Sequence, residues 1–123
     1  MKNIIIEWKG SQYTIKSEKI FSIVERWEDQ INFSTYTMVG WASDTSLIKP
    51  LKAARAFCIM LEVAGCKDYD LKYIVQGLHH PSEMQQGVMA ALYGVVEQMM
   101  PPESFIQNAE DNEGGEVKKN QEV

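Results

Sequence analysis

The stretch Ile4-Ile5-Ile6-Glu7-Trp8-Lys9-Gly10-Ser11-Gln12-Tyr13-Thr14-Ile15 decides the fold class. Ile4, Ile6 and Trp8 alternate with Asn3, Ile5 and Glu7, and beyond Lys9-Gly10 the alternation resumes with Tyr13 and Ile15 against Gln12, Thr14 and Lys16. A period of two on either side of a glycine predicts a β-hairpin over residues 3–16, with Gly10 supplying the positive φ of the turn. Two strands alone are marginal in water, so helices must cover the Ile/Trp/Tyr face, and the segment that follows is the nearest candidate.

The rest of the chain reads as helices. Ser17 suits an N-cap ahead of Glu18, and Ile20, Val24, Trp27 and Ile31 share one stripe at 3.6-residue periodicity, which predicts an amphipathic helix over about 18–30. Serines and threonines weaken helix propensity between Asn32 and Lys49, while Tyr36, Met38, Val39 and Trp41 call for burial; a short helix over about 35–42 and then a loop is expected. Pro50 suits the first turn of a helix over 51–64 that Gly65 closes. Asp68 or Asp70 can cap a short helix over 71–78. His79-His80-Pro81-Ser82 then leads into a helix over 82–100, stopped by Pro101-Pro102. That last helix would be about 28 Å long, and it is expected to form the axis of the bundle. The predicted architecture is α+β but mainly α, a single domain over 1–102 with the hairpin packed on a small helical bundle. Beyond Glu103, Phe105-Ile106 are followed by polar residues with only Val117 and Val123 among them, so 103–123 is expected to be a disordered acidic tail.

Composition narrows the function classes. The chain has 123 residues, 45% hydrophobic and 24% charged, with 12 basic against 17 acidic side chains and a net charge of −5. Such a length suits one domain, and the apolar content suffices for a core. The negative balance disfavours nucleic acid or an anionic membrane as the main partner. Most of the charge falls in the tail (Glu103, Glu110, Asp111, Glu113, Glu116 and Glu122 against Lys118 and Lys119), which leaves a nearly neutral body that must recognise partners through shape and apolar contact. Cys58 and Cys66 lack the spacing of redox or zinc sites and read as buried core thiols in a reducing compartment. Ile4-Ile5-Ile6 is too short for a signal-peptide core, and no apolar run approaches the ~18 residues of a membrane span, so the chain is expected to remain in the cytoplasm.

The sequence holds no Gly-rich phosphate loop, nucleophile elbow, zinc-protease helix motif or metal-spaced cysteine pair, so no enzyme activity and no cofactor is expected. Its informative feature is surplus apolar surface. In the 82–100 helix, Met84, Val88, Ala91, Leu92, Val95 and Met99 form a stripe with Met89, Tyr93, Val96 and Met100 beside it, an arc of roughly 200° where a surface helix needs about 100°. Gly87, Ala90 and Gly94 lie on the far side. The 51–64 helix is similar: Leu51, Ala54, Phe57, Cys58 and Leu61 share one face, and Ala56, Ile59, Met60 and Val63 another. Either neighbouring elements surround these helices, or the surplus remains as a groove or an oligomer contact. Methionines in such a groove would adapt to varied apolar anchors.

The hairpin Ile4–Ile15 followed at once by Lys19-Ile20-Phe21-Ser22-Ile23-Val24-Glu25-Arg26 resembles the start of the tail assembly chaperones of long-tailed bacteriophages. Leu51–Phe57 through Ala64-Gly65, Val88–Val96 and Met99-Met100-Pro101-Pro102-Glu103 extend the resemblance over roughly residues 3–103. It implies a protein of the bacterial host cytoplasm, absent from the mature virion, that coats the tape measure protein before the tail tube polymerises around it. It also implies that a frameshifted longer product could recruit the tail tube protein, with which Lys118-Lys119 is compatible. On this reading Met84, Met89, Tyr93, Val96, Met99 and Met100, helped by Trp41 and Ile59, hold amphipathic helices of the tape measure protein by helix-in-groove contact. A homo-oligomer is compatible with the same surface. Two rivals come from other classes. One is an acidic inhibitor or nucleic-acid mimic of a host DNA-binding protein, which would need carboxylates arrayed on a folded surface. The other is a small metal-dependent enzyme using His79, His80 and Cys66.

Overall fold

In the computed structural model, which describes residues 2–79 and 82–100, strand β1 (Ile4–Trp8) turns at Lys9-Gly10 into strand β2 (Ser11–Ile15). The antiparallel register pairs Ile4 with Ile15, Ile6 with Tyr13 and Trp8 with Ser11. Lys9 (φ 50°) and Gly10 (φ 82°) are both left-handed, the backbone that matches a two-residue turn to the twist of its strands. Lys9 accepts this conformation while its ammonium lies 5.8 Å from the Trp8 ring centroid, 5.5 Å from that of Tyr73 and 3.5 Å from Asp68.

Among the described residues five α-helices follow: α1 (Ile20–Ile31), α2 (Thr35–Ser43), α3 (Pro50–Val63), α4 (Leu71–Gly77) and α5 (Glu83–Met99), with short 3-10 turns at Ser17–Lys19 and Thr45–Leu47. The mainly helical α+β class and the order of elements agree with the sequence. The expected stop at Pro101-Pro102 and the tail over 103–123 lie outside the described residues.

Local chemistry explains the boundaries. Ser17 does not cap α1; its N–H donates to Asn3 Oδ1 (2.9 Å), which fastens the hairpin exit to its start. The helix ends at Asn32, whose left-handed φ of 51° turns the Phe33 N–H back onto the Trp27 carbonyl (3.0 Å). Phe33 is thereby set edge-on to Trp27 (4.9 Å, 77°) and against Trp41 (5.3 Å, 51°). Ser34 and Thr37 form a reciprocal cap on α2. Pro50 opens α3, and Gly65 (φ 91°) closes it with the Cys66 N–H on the Leu61 carbonyl (2.9 Å). Asp70 caps α4 through Lys72 N–H (3.1 Å), and Ser82 caps α5 through Gln85 N–H (3.1 Å).

Packing corrects two expectations. The axis of the bundle is α3, not the last helix: Ala53, Ala54 and every residue from Ala56 to Leu61 are buried, because α1, α4, α5 and β2 all pack against it. The apolar side of the hairpin is covered by α5 and α3 rather than by α1, which packs chiefly on α3. Trp8 anchors that contact, edge-on to Phe57 at 5.4 Å, with its indole N–H on the Asp68 carbonyl (2.9 Å). Strand β1 runs antiparallel to α5: the Lys2 N–H reaches Gln98 Oε1 (2.8 Å) at one end, while Trp8 lies by Glu83 and Met84 at the other.

One polar cluster joins α1 to the end of α3. Arg26 contacts Glu62 at 2.6 Å, and the Tyr69 hydroxyl donates to the same carboxylate. The Tyr69 hydrogen bond first, and Arg26 after it, hold the Glu62 carboxyl below its ordinary value. A depressed carboxylate contributes stability that is present above its unfolded pKa and lost as pH falls through the folded one. Both side chains are partly exposed, so Glu62→Gln is expected to cost less than about 1 kcal/mol at neutral pH. In urea titrations the gap from wild type should close below about pH 4.

Candidate functional site

Helix α5 is buried along one stripe and only partly covered on its flanks. Val88, Leu92, Val95 and Val96 are buried against α1, α2 and α3, and the residues flanking this stripe line two open grooves, one on each side of the helix.

The first groove, of about 630 Å³, lies between the outer edge of β1 and the N-terminal half of α5. Trp8, Phe57 and Val88 form its floor, Tyr73 and Met84 close one end, and Gly87, Ala90 and Ala91 keep the helix wall low. Glu7, Lys9 and Glu83 give it a charged margin.

The second groove, of about 550 Å³, lies where α5 meets the segment leading into α3. Ile48, Pro50, Leu78, Met89 and Tyr93 line it, with Thr45, Gln85 and Gln86 as the polar margin, and none of its lining residues is charged. Its corner is fixed by hydrogen bonds: Ser82 Oγ donates to the Gly77 carbonyl (2.9 Å) and Gln85 Nε2 to the Leu78 carbonyl (3.3 Å). Burial raises the pKa of the Tyr93 hydroxyl, a phenol that is neutral and able to donate a hydrogen bond at physiological pH in any case. An uncharged, pre-shaped trough with one adaptable thioether and one aromatic wall suits an apolar side chain carried by a partner.

The structure divides the contact set expected from sequence. Met89 and Tyr93 share the second groove, and Met84 lines the first. Met99 is half-buried against the core, and Met100 is exposed at the end of the helix. Trp41, Ile59 and Val96 are core residues, only 3%, 5% and 7% exposed, so their role as surface contacts is corrected. Trp41 is held by Phe33, Ile59 faces inward from the central helix, and Val96 belongs to the buried stripe of α5.

Two of the four α2 residues expected to be buried, Tyr36 and Val39, are instead exposed, while Met38 and Trp41 are buried. Tyr36 (86% exposed), Val39 and Leu47 stand out from α2 and the turn after it, and Ile5 (63% exposed) from the outer face of β1. For α2 a signal was available: at 100° per residue, Tyr36, Met38, Val39 and Trp41 cannot all face one core.

Among the described residues, no three His, Cys, Asp or Glu side chains converge as metal ligands. His79 Nδ1 lies 2.8 Å from the Val75 carbonyl, and His80 is outside the described residues. Cys58 and Cys66 are buried free thiols, and desolvation, with Glu62 and Asp70 adding to it, pushes Cys58 up to about 11. A thiol so raised is neutral at pH 7, a poor nucleophile and a poor ligand. No helix among the described residues is long and apolar enough to cross a membrane. The two grooves themselves offer docking by shape and apolar contact. Comparison with protein families, with curated proteins and with solved structures finds no match to this chain.

Proposed function

We propose that this chain is a tail assembly chaperone of a long-tailed phage or prophage, which acts in the bacterial host cytoplasm and keeps the tape measure protein soluble until the tail tube forms around it. The observation that carries this reading is the uncharged groove between α5 and the start of α3, with Met89 and Tyr93 on one wall and Ile48, Pro50 and Leu78 opposite. A long tape measure helix presents apolar side chains at three- and four-residue spacing, and such a groove accepts one or two of them at a time. Many weak, similar contacts along a repetitive coil suit a coat that must later be stripped off, because each bound copy can leave separately. The exposed Tyr36, Val39 and Leu47 extend apolar surface over neighbouring α2 and the turn beyond it. The tail tube protein would enter as a second partner through a frameshifted longer product.

Co-expression with the tape measure protein of the phage or prophage that carries this chain tests the proposal. The expected result is that the tape measure protein moves from the insoluble to the soluble fraction and co-purifies with this chain. Equal solubility of the tape measure protein alone would overturn the reading.

A further inference from the structure

The β1 edge carries an inference that does not depend on which coil fills the second groove. Closing a two-residue turn, Trp8 and Ser11 form the hydrogen-bonded pair nearest the turn, so Trp8, Ile6 and Ile4 direct their backbone groups to β2. Ile5 and Glu7 must then direct their N–H and C=O groups outward, over the first groove. Among the described residues the sheet has no further strand, so within them β1 presents an open edge there. Ile5 is also the most exposed aliphatic residue of the hairpin, standing between Asn3 and Glu7 on its outer face.

We infer that this edge pairs with the same edge of a second copy of this chain, giving a continuous antiparallel sheet in the order β2-β1-β1-β2 across a two-fold axis at Ile5. Charge and polarity select that register. Centring the axis on Ile5 sets the two Ile5 side chains against each other and places each Glu7 carboxylate opposite the Asn3 of the other copy. The Asn3 carbonyl oxygen already accepts from Ser17, which leaves its NH2 group to donate to that carboxylate. Centring on Glu7 would set two carboxylates face to face, and centring on Ile6 would set each Ile5 against a carboxylate; both are poorer cross-strand pairs.

The layer beneath agrees with this register. Because β1 and α5 are antiparallel and Ile4 lies over Gly94, the same axis brings the two α5 helices side by side, with Gly87 of one copy near Gly94 of the other and Ala90 near the crossing point. A Cβ added at Gly87 would meet nothing within 4 Å in the single copy, so that position is open to a neighbour. Small residues allow the helices to approach within the 8–10 Å typical of packed helices, about twice the ~4.8 Å strand spacing above them.

Sedimentation equilibrium of the full chain over a range of concentrations tests the pairing. The expected mass is that of two copies. Ile5→Lys, which sets two ammonium groups against each other at the axis, should weaken association by more than about tenfold. Gly87→Arg should do the same while leaving the single copy at least as stable, since any residue other than proline improves on glycine inside a helix. In amide exchange, Ile5 and Glu7 should be protected in proportion to protein concentration. A single-copy mass at all concentrations, or association untouched by both substitutions, would overturn the proposal. Protection of Ile5 and Glu7 that does not vary with concentration would overturn it as well, since a segment of the same chain would then cover the edge.

Discussion

Trp27→Ala is expected to lower the stability of the chain by about 3–5 kcal/mol in urea denaturation, the largest loss of any single substitution considered. Trp27 is fully buried, its indole N–H donates to the Ala56 carbonyl of the central helix at 3.1 Å, and its ring packs edge-on to Phe33 at 4.9 Å. Truncation opens a cavity between α1 and α3 and releases Phe33, which in turn supports Trp41. A domain of this size has about 5–15 kcal/mol in total, so much of the population could unfold near physiological temperature. Trp27→Phe separates the contributions: most of the ring remains while the N–H is lost, and about 1–2 kcal/mol is expected. A loss below about 1 kcal/mol for Trp27→Ala would mean that α1 is not held to α3 through this side chain.

The largest expected effect on function is that of Met89→Asp, alone or with Tyr93→Ala. Both residues are half-buried walls of the uncharged groove. A carboxylate at residue 89 must be desolvated whenever an apolar partner side chain enters, which should weaken capture of the tape measure protein by roughly 10- to 100-fold in a pull-down titration. The fold should persist, since neither side chain is fully buried. Phe21→Lys is the matched control: Phe21 is exposed on α1 and lines neither groove, so its substitution should leave capture unchanged. Equal losses from Met89→Asp and Phe21→Lys would place the contact elsewhere.

Periodicity and punctuation made most elements legible, because they act locally. The alternation around Gly10, proline at the first turn of α3, Gly65 after it, and Asp70 and Ser82 as caps each satisfy or remove particular backbone groups, so the residues alone nearly determine the boundaries. What the sequence concealed was relative burial. Both α3 and α5 are apolar around much of their circumference, and the longer one looked central. The small residues Ala53, Ala54 and Ala56 allow neighbours to approach α3 closely from several sides, while α5 keeps half-buried Met84, Met89 and Tyr93 along its flanks. Assigning Trp41 and Ile59 to the surface failed for the same reason: which apolar side chain is covered depends on helix–helix packing that no single helix encodes. The Met89–Tyr93 wall was legible as surplus, but its partners Ile48, Pro50 and Leu78 arrive from distant parts of the chain.

The central claim is that the flank of α5 facing Ile48 and Pro50 receives a foreign apolar helix. Hydrogen exchange on this chain, free and bound to the tape measure protein, tests it most directly. Binding should slow exchange across residues 85–93 and the turn before Pro50, where the groove walls meet, and leave the exposed face of α1 unchanged. A soluble complex whose exchange is unaltered along α5, with protection appearing on another face, would contradict it.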